Sequence, residues 1–279
     1  EQILCGNGAA DLIFRLVWAK KPRRALVTAP TFAEYATALK SIGCTVERFF
    51  LREQEDFAVT DAFCAAIRPG VDMVFLCQPN NPTGQLTALP LVEQILHRCA
   101  ACGTLLVVDE CFLDFLPDHA LHTAKGLLGE GNLVILKAFT KLYGMAGVRL
   151  GYALSADTAL LEQMQACGQP WGVSSLAQAA GLAALEETAY VEKVRALIAE
   201  QRPRLTAGLR ALGLRVLDGR ANYLLFQAPE TLGEALRQRG AVLRSCANYP
   251  GLGPGWYRTA VRTGPENEQL LKLLAEVLE

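Results

Sequence analysis

Polar side chains follow four short apolar runs of the chain, at the positions where an open α/β sheet meets its ligand. They are a glycine turn at residues 6–11, a proline-rich turn at 78–84, the acidic pair Asp109 and Glu110, and Lys141 with Arg149 eight residues later. A glycine turn before a helix presents bare amides to an anion. An amine in a partly apolar pocket can form a Schiff base, and a guanidinium grips phosphate with two bonds. These residue types predict a site that holds a phosphate and reacts with a carbonyl group.

Each of these features has a plain alternative when it is taken singly. The glycine turn could be only a helix start, Asp109 a helix cap and Lys141 a surface lysine. The turn at 78–84 is more specific, because two prolines fix the backbone around Asn81 and hold a donor at a strand end. A carboxylate at a buried strand end needs a cation or a donor. Taken together and in order, the four features are what a phosphorylated pyridine aldehyde requires.

The composition narrows the class of protein. The 279 residues are 51% hydrophobic and 20% charged, which is typical of a globular chain and not of a disordered one. A net charge of -1 argues against binding nucleic acid through its phosphates, so a small-molecule partner is expected. No apolar run has the length of a membrane span. The nine scattered cysteines predict reduced thiols in a cytoplasmic protein, and no metal site is expected at Cys99, Cys102 and His97.

The elements that must position these residues follow from the alternation of apolar runs with amphipathic segments. This pattern predicts βαβ units and a mainly parallel sheet covered on both faces. The predicted strands of this α/β domain are 24–28, 46–50, 73–76, 105–108, 133–136 and 150–154, with helices at 35–42 and 89–102. A large domain is expected over 1–170, a bridging helical tract over 171–212, interrupted only at Pro203, and a small α+β domain over 213–279.

The order and spacing of these motifs resemble the fold-type I pyridoxal-5′-phosphate (PLP) enzymes, the aspartate aminotransferase superfamily, over nearly the whole chain. The resemblance implies a three-layer αβα fold and a Schiff base between PLP and Lys141. It implies that Asp109 pairs with the pyridinium nitrogen, Asn81 with the ring oxygen, and that Tyr35 stacks on the ring. The implied cofactor-binding residues are Gly8, Ala9, Ala10, Tyr35, Asn81, Asp109, Phe112, Thr140, Lys141 and Arg149.

Within the superfamily the chain is similar to histidinol-phosphate aminotransferases and to the L-threonine-O-3-phosphate decarboxylases of cobalamin synthesis. Phe112 stands where the aminotransferases usually carry a tyrosine, and residues 169–173 and 244–252 also resemble the decarboxylases. We therefore favour decarboxylation of L-threonine O-3-phosphate to (R)-1-aminopropan-2-yl phosphate. A divergent aminotransferase and a non-catalytic binding module are the alternatives.

The resemblance also implies residues that bind a small phosphorylated amino acid or amine. Arg258 resembles the family arginine that binds the substrate α-carboxylate, and Arg244 is the candidate for a substrate phosphate, because guanidinium binds phosphate bidentately. Trp171 is a further substrate-binding candidate within the decarboxylase-like segment. The geometry of Arg258 relative to the cofactor ring decides between loss of CO₂ and transamination.

Two departures from the family pattern accompany this resemblance. Ala138 occupies the position three before Lys141, where relatives often place a hydroxyl on the cofactor phosphate. Relatives also carry an N-terminal arm before the glycine motif, which contributes to the substrate pocket and the dimer, and this sequence begins without one. We expect it to be a fragment or to take that part from another chain. A homodimer is expected, because in the family each pocket borrows groups from its neighbour.

Overall fold

The computed structural model describes residues 2–278. Its larger part is a seven-stranded sheet in the order β1-β7-β6-β5-β4-β2-β3. The strands are β1 (Ile3–Gly6), β2 (Arg24–Ala29), β3 (Thr45–Phe50), β4 (Met73–Cys77), β5 (Leu105–Asp109), β6 (Leu133–Ala138) and β7 (Gly151–Leu154). Strands β2 to β6 pair in parallel, whereas β7 is antiparallel to both of its neighbours. The prediction of a mainly parallel sheet is confirmed.

Helices cover both faces of this sheet, because its central strands are apolar on both sides. Every residue of β4 and of β5 is buried. One core packs Leu12 and Leu16 of α1 against the sheet, and the other packs Ile95 of α4 against the opposite face. The helices of this part are α1 (Gly8–Lys20), α2 (Ala33–Ser41), α3 (Ala62–Ala66), α4 (Leu89–Cys102), α5 (Phe139–Leu142) and α6 (Thr158–Ala166). The result is the expected three-layer αβα architecture.

Two consecutive helices follow the large sheet, α7 (Ser175–Glu186) and α8 (Thr188–Ala211). The predicted interruption at Pro203 is wrong, because Pro203 lies inside α8 and the break comes at Glu187. A proline removes one backbone hydrogen bond. The turns on either side of it are anchored by buried Ile198 and Leu205, so the helix continues through it.

A four-stranded antiparallel sheet closes the chain, in the order β10-β11-β9-β8. Its elements are β8 (Arg215–Val216), β9 (Tyr223–Gln227), α9 (Leu232–Arg237), β10 (Arg244–Ser245), β11 (Trp256–Ala260) and α10 (Gly264–Leu278). Its core joins Leu205 and Leu209 of α8 to Phe226 and Leu274. Helix α8 therefore begins beside the large sheet and ends in the core of the small sheet.

Two further features bear on the sequence-based expectations. All nine cysteines are free thiols in the structure. Among residues 2–278, none of the helices combines the length and the apolar character needed to cross a membrane.

Candidate active site

A cavity lies at the carboxyl ends of β4, β5 and β6, where the strand-end residues of the large sheet converge. It encloses about 520 Å³ of space that is partly open to solvent. Its lining residues are Ala9, Ala10, Phe32, Cys77, Asn81, Asp109, Cys111, Phe112, Ala138, Thr140, Lys141 and Arg149. All four polar places identified in the sequence contribute to this one cavity, as expected for the carboxyl edge of a parallel sheet.

One end of the cavity is formed by the first turn of α1, which brings the amides of Ala9 and Ala10 to its wall. Helix α1 can approach this closely because β7 carries a glycine opposite it. A Cβ on Gly151 would lie 2.7 Å from the Ala9 nitrogen and 2.8 Å from the Lys137 carbonyl oxygen. Asn7, the residue before the helix, makes no side-chain cap. The first amides of α1 are therefore open to an anionic ligand.

Arg149 adds a positive charge at the same end. Its Nη1 donates to the carbonyl oxygen of Ala146 at 2.9 Å, and a Cβ on Gly8 would lie 2.6 Å from its Nη2. Gly8 has a φ of +81°, which favours glycine independently of the space available. Thr140, at the start of α5, lines the same cavity and is buried. Amides, a guanidinium and a hydroxyl are groups that donate hydrogen bonds to a phosphate.

Asp109 lies at the floor of the cavity, at the end of β5, with 5% of its surface exposed. Its Oδ2 accepts a hydrogen bond from the Tyr35 hydroxyl at 2.5 Å, and its Oδ1 accepts one from the Cys111 amide at 3.0 Å. It forms no ion pair with any residue in the described range 2–278. A buried carboxylate in this state has room for a cationic group of a ligand.

The next residue, Glu110, is a buried carboxylate that has both hydrogen-bond donors and a paired cation. It is fully buried, and its oxygens accept hydrogen bonds from Thr123 Oγ1 at 2.8 Å and the Ala124 amide at 2.7 Å. Lys137 Nζ lies 3.1 Å from Glu110 and 2.8 Å from Asp114. Burial lowers the pKa of Lys137, but Glu110 and Asp114 outweigh burial and raise it above its ordinary value. Of two consecutive carboxylates, only Asp109 is left facing the cavity without a cation.

Lys141 lies in α5 at the rim of the cavity and is exposed in the single chain. Its Nζ is 5.4 Å from the centroid of the Phe112 ring. Phe112 in turn packs edge-on against Tyr223 of the small sheet, with centroids 5.1 Å apart. The amine therefore stands over an apolar wall, with the Asp109 carboxylate on the floor of the same cavity.

Asn81 connects the cavity to the small sheet. Its Oδ1 accepts a short hydrogen bond from Arg258 Nη1, and the Arg258 guanidinium lies 4.9 Å from the centroid of the Tyr223 ring. The Tyr223 hydroxyl donates to the carbonyl oxygen of Asn80 at 3.0 Å. Burial, followed by the Cys77 thiol, raises the pKa of Tyr223 well above its usual range, although Arg258 acts in the opposite direction. Arg258 thus contacts the cavity through Asn81 and does not line it.

Arg244 also lies outside the cavity wall. It is exposed, stacks on Tyr249 with 5.6 Å between the guanidinium carbon and the ring centroid, and donates to Asn248 Oδ1 at 3.1 Å. Its backbone pairs with that of Arg258 between β10 and β11. The two candidate substrate-binding arginines are therefore neighbours on the small sheet.

Two expected site residues lie elsewhere. Tyr35 is fully buried behind the cavity, where its ring stacks on Phe75 at 4.7 Å and its hydroxyl points at Asp109. It does not line the cavity, which corrects the expectation that it stacks on a cofactor ring. The helix starts at Ala33, and this start turns Tyr35 toward the sheet. Trp171 is 94% exposed and lies on a separate groove beside Arg15, so within this chain it does not reach the cavity.

Three lining residues were not identified from the sequence: Phe32, Cys77 and Cys111. Phe32 is the aromatic residue just before α2, three positions ahead of Tyr35. Burial, and then the charge of Asp109, raises the pKa of Cys77 to about 12 and that of Cys111 well above its usual range. Both sulfurs therefore stay neutral. All three could have been proposed from the sequence, because each lies at or next to a strand end or a motif already identified.

Comparisons with known proteins show which family and which solved structures this chain is similar to. The family model described as "Aminotransferase class I and II" matches residues 1–277. A threonine-phosphate decarboxylase of Salmonella typhimurium is 40% identical over 99% of this chain and 77% of its own length. A histidinol-phosphate aminotransferase of Symbiobacterium thermophilum is 36% identical over 100% of this chain and 76% of its own. The crystal structure of the histidinol-phosphate aminotransferase from Clostridium acetobutylicum superposes with a TM-score of 0.93 at 27% identity, covering 99% of this chain and 84% of that one.

Proposed function

Because the chain belongs to the class I and II aminotransferase family, we propose that it is a PLP-dependent enzyme that decarboxylates L-threonine O-3-phosphate. The product would be (R)-1-aminopropan-2-yl phosphate, an intermediate of cobalamin synthesis. The relative that is 40% identical carries the name of this activity, which supports the substrate.

The residues of the cavity fit PLP. The amides of Ala9 and Ala10, with Thr140 and Arg149, would take its phosphate, and Lys141 is the amine for its aldehyde. The observation that carries the proposal is Asp109, a buried carboxylate that forms no ion pair within residues 2–278 and faces the same cavity. A protonated pyridine nitrogen is the cation that would complete it. When bound, PLP supplies an electron sink for a bond at the substrate Cα.

The chain's own groups would select and complete the reaction around that sink. Arg258 and Arg244 offer two guanidinium groups at adjacent positions, which suits a substrate with a carboxylate and a phosphate. L-threonine O-3-phosphate carries both anions, whereas histidinol phosphate carries only the phosphate. Lys141 is the only amine lining the cavity among residues 2–278, so it is the group that would return a proton to Cα after CO₂ has left.

A transaminase of the histidinol-phosphate type is the second candidate. It is supported by the relative that is 36% identical and by the neighbour with a TM-score of 0.93. In that reaction the Lys141 amine would remove the Cα hydrogen instead. Phe112 favours the decarboxylase, because it places an apolar ring, without a hydroxyl, beside Lys141.

We further propose that the active form is a homodimer. Helix α7 exposes three leucines, with Leu176 82%, Leu182 70% and Leu185 61% exposed, and Trp171, just before the helix in the sequence, is 94% exposed. Several large apolar side chains exposed on one short stretch of chain favour a protein interface there. Because the family resemblance implies a homodimer, we propose a second copy of this chain as the partner.

The cofactor is tested by absorption spectroscopy. PLP added to the protein should give a visible band that is retained after dialysis and lost in Lys141→Ala. The control Lys125→Ala removes an exposed lysine that does not line the cavity and should keep the band. A protein without the band would be a non-catalytic scaffold, which would overturn the proposal.

The reaction is tested by two incubations of the PLP-loaded protein. L-threonine O-3-phosphate should release CO₂ without needing a 2-oxo acid. Histidinol phosphate with 2-oxoglutarate should yield no glutamate. Glutamate formation in the second incubation, without CO₂ release in the first, would select the aminotransferase.

A further inference from the structure

Tyr35 is a fully buried phenol in the first turn of α2, enclosed by aromatic rings. Its ring lies parallel to that of Phe75, with centroids 4.7 Å apart and an interplanar angle of 13°. Phe32 meets it edge-on at 5.5 Å. Phe32 lines the cavity, whereas Tyr35 stands one layer behind it. The phenol is therefore fixed in place by packing, and it cannot touch a ligand.

The hydroxyl of Tyr35 donates a hydrogen bond to Asp109 Oδ2 at 2.5 Å. The other oxygen, Oδ1, accepts from the Cys111 amide at 3.0 Å. Each carboxylate oxygen of Asp109 therefore has one fixed donor. Two donors on the two oxygens prevent rotation of the carboxylate about its Cβ–Cγ bond. A hydrogen bond to a charged carboxylate also stabilises its ionised form.

The phenol can act only as a donor in this contact. Burial, and then the charge of Asp109, raises the pKa of Tyr35 well above its ordinary value. The hydroxyl accordingly keeps its proton throughout the working pH range. Removing it would leave the buried Asp109 carboxylate with the single donor from Cys111.

We propose that Tyr35 is a positioning residue for Asp109, which orients that carboxylate toward the cofactor nitrogen and keeps it ionised. The inference rests on the proposed function, because it assigns a role toward PLP. Without the phenol, Asp109 would bind a proton more strongly and hold it in place of the pyridine nitrogen. A ring with an uncharged nitrogen accepts electrons less well, so the effect extends to the chemical step although Tyr35 touches no reacting atom.

The variant Tyr35→Phe removes the hydroxyl and keeps both ring contacts. Its matched control is Tyr257→Phe, since Tyr257 is also buried and its hydroxyl donates to the Glu230 carbonyl oxygen at 2.7 Å in the small domain. Tyr35→Phe loses the hydrogen bond to Asp109, whereas Tyr257→Phe loses the bond to Glu230 and also the one that its hydroxyl accepts from the Gly233 amide at 3.2 Å. The midpoint temperature of thermal unfolding should therefore fall in both proteins, and by at least as much in Tyr257→Phe as in Tyr35→Phe.

The readouts that distinguish the variants concern the cofactor. In Tyr35→Phe the dissociation constant of PLP should rise about tenfold, and the pH midpoint of the holoenzyme's visible band should move up by about one unit, the size of one hydrogen bond to a charged group. The value of kcat should fall with KM unchanged. Tyr257→Phe should retain the wild-type affinity and midpoint.

A double substitution separates the proposed role from packing. In an Asp109→Asn background, Tyr35→Phe should cause no further loss of PLP affinity, because the group it acts through is gone. An equal loss in both backgrounds, or the same spectrum in Tyr35→Phe as in Tyr257→Phe, would overturn the role of Tyr35 alone. If the wild-type protein binds no PLP at all, the proposed function fails first.

Discussion

Arg244 lies directly opposite Arg258 in the antiparallel pair of β10 and β11. Like charges opposite one another across two strands repel and are destabilising. Neither arginine forms an ion pair with any residue in the described part of the chain. The Nη1 of Arg258 donates its hydrogen bond to the neutral Asn81 side chain. A ligand with two negative groups would remove this repulsion, which is why the pair supports a substrate that carries both phosphate and carboxylate.

Replacing Arg244 by Gln should lower kcat/KM for L-threonine O-3-phosphate about 30- to 100-fold, the effect of losing a charge-assisted contact of about 2–3 kcal/mol. Binding of unphosphorylated L-threonine should be nearly unchanged, because it lacks the phosphate that we propose Arg244 binds. Steady-state assays and competition by both compounds measure this. Arg237→Gln, at an exposed arginine paired with Glu234, is the control. Equal losses for the two ligands would remove Arg244 from the phosphate site.

Lys137→Met should lower the free energy of unfolding by about 3–5 kcal/mol, because it leaves the buried Glu110 carboxylate without its cation. Urea unfolding of the variant and the wild type measures the difference. The double variant Lys137→Met with Glu110→Gln should recover part of this loss, since it removes the unpaired charge. A double variant that is less stable than Lys137→Met would contradict this account.

The same ion pair predicts a pH dependence. The pKa of Lys137 is raised above its ordinary value of 10.5 in the folded chain. Its contribution is therefore complete below the unfolded pKa and is lost as pH rises through the folded one. The stability difference between wild type and Lys137→Met should stay constant at neutral and mildly alkaline pH and narrow above about pH 10.5. A difference that widens there would reverse the sign of the assignment.

Gly151→Ala should push the first turn of α1 away from β7, because the new methyl group would lie 2.7 Å from the Ala9 nitrogen. We expect a loss of about 1–3 kcal/mol in stability, typical of overpacking, together with weaker PLP binding. Calorimetry and a PLP titration measure the two effects. Gly129→Ala has open space around its Cβ position and should change neither.

Replacing Leu182 and Leu185 of α7 by Lys should convert the proposed dimer into monomers, since it places charges at two exposed leucines of the proposed interface. Sedimentation velocity detects the change. Leu121→Lys alters a leucine that is also 70% exposed but lies outside α7, and should leave the dimer intact. A double variant that remains dimeric would place the interface elsewhere.

The elements that the sequence predicts well are those whose apolar pattern is complete. The predicted helix 89–102 matches α4, and β4 and β5 are buried along their whole lengths. Strand β1 was not predicted from the sequence, because it has only two buried residues and comes before the first helical segment. Its partner is β7, far along the chain, and pairing at such a distance leaves no local signal.

For the site, the strand-end rule located Asn81, Asp109 and Lys141 at one cavity, but it did not determine which aromatic residue faces inward. Phe32 and Tyr35 are three positions apart, and the point at which α2 begins decides between them. Trp171 shows a second limit. Its sequence context resembles the relatives, but its 94% exposure depends on tertiary structure, and sequence resemblance does not specify that.

The pairing of β1 with β7 has a consequence for the order in which the molecule is made. The amides of Ala9 and Ala10 are translated before the five parallel strands, whereas Arg149 and Gly151 follow only after them. A nascent chain that ends at Leu136 already carries Asp109, but it has neither the guanidinium nor the strand against which α1 closes. Capture of a phosphate by the proposed site would therefore wait for translation of the whole sheet, and we expect truncated products to emerge without cofactor.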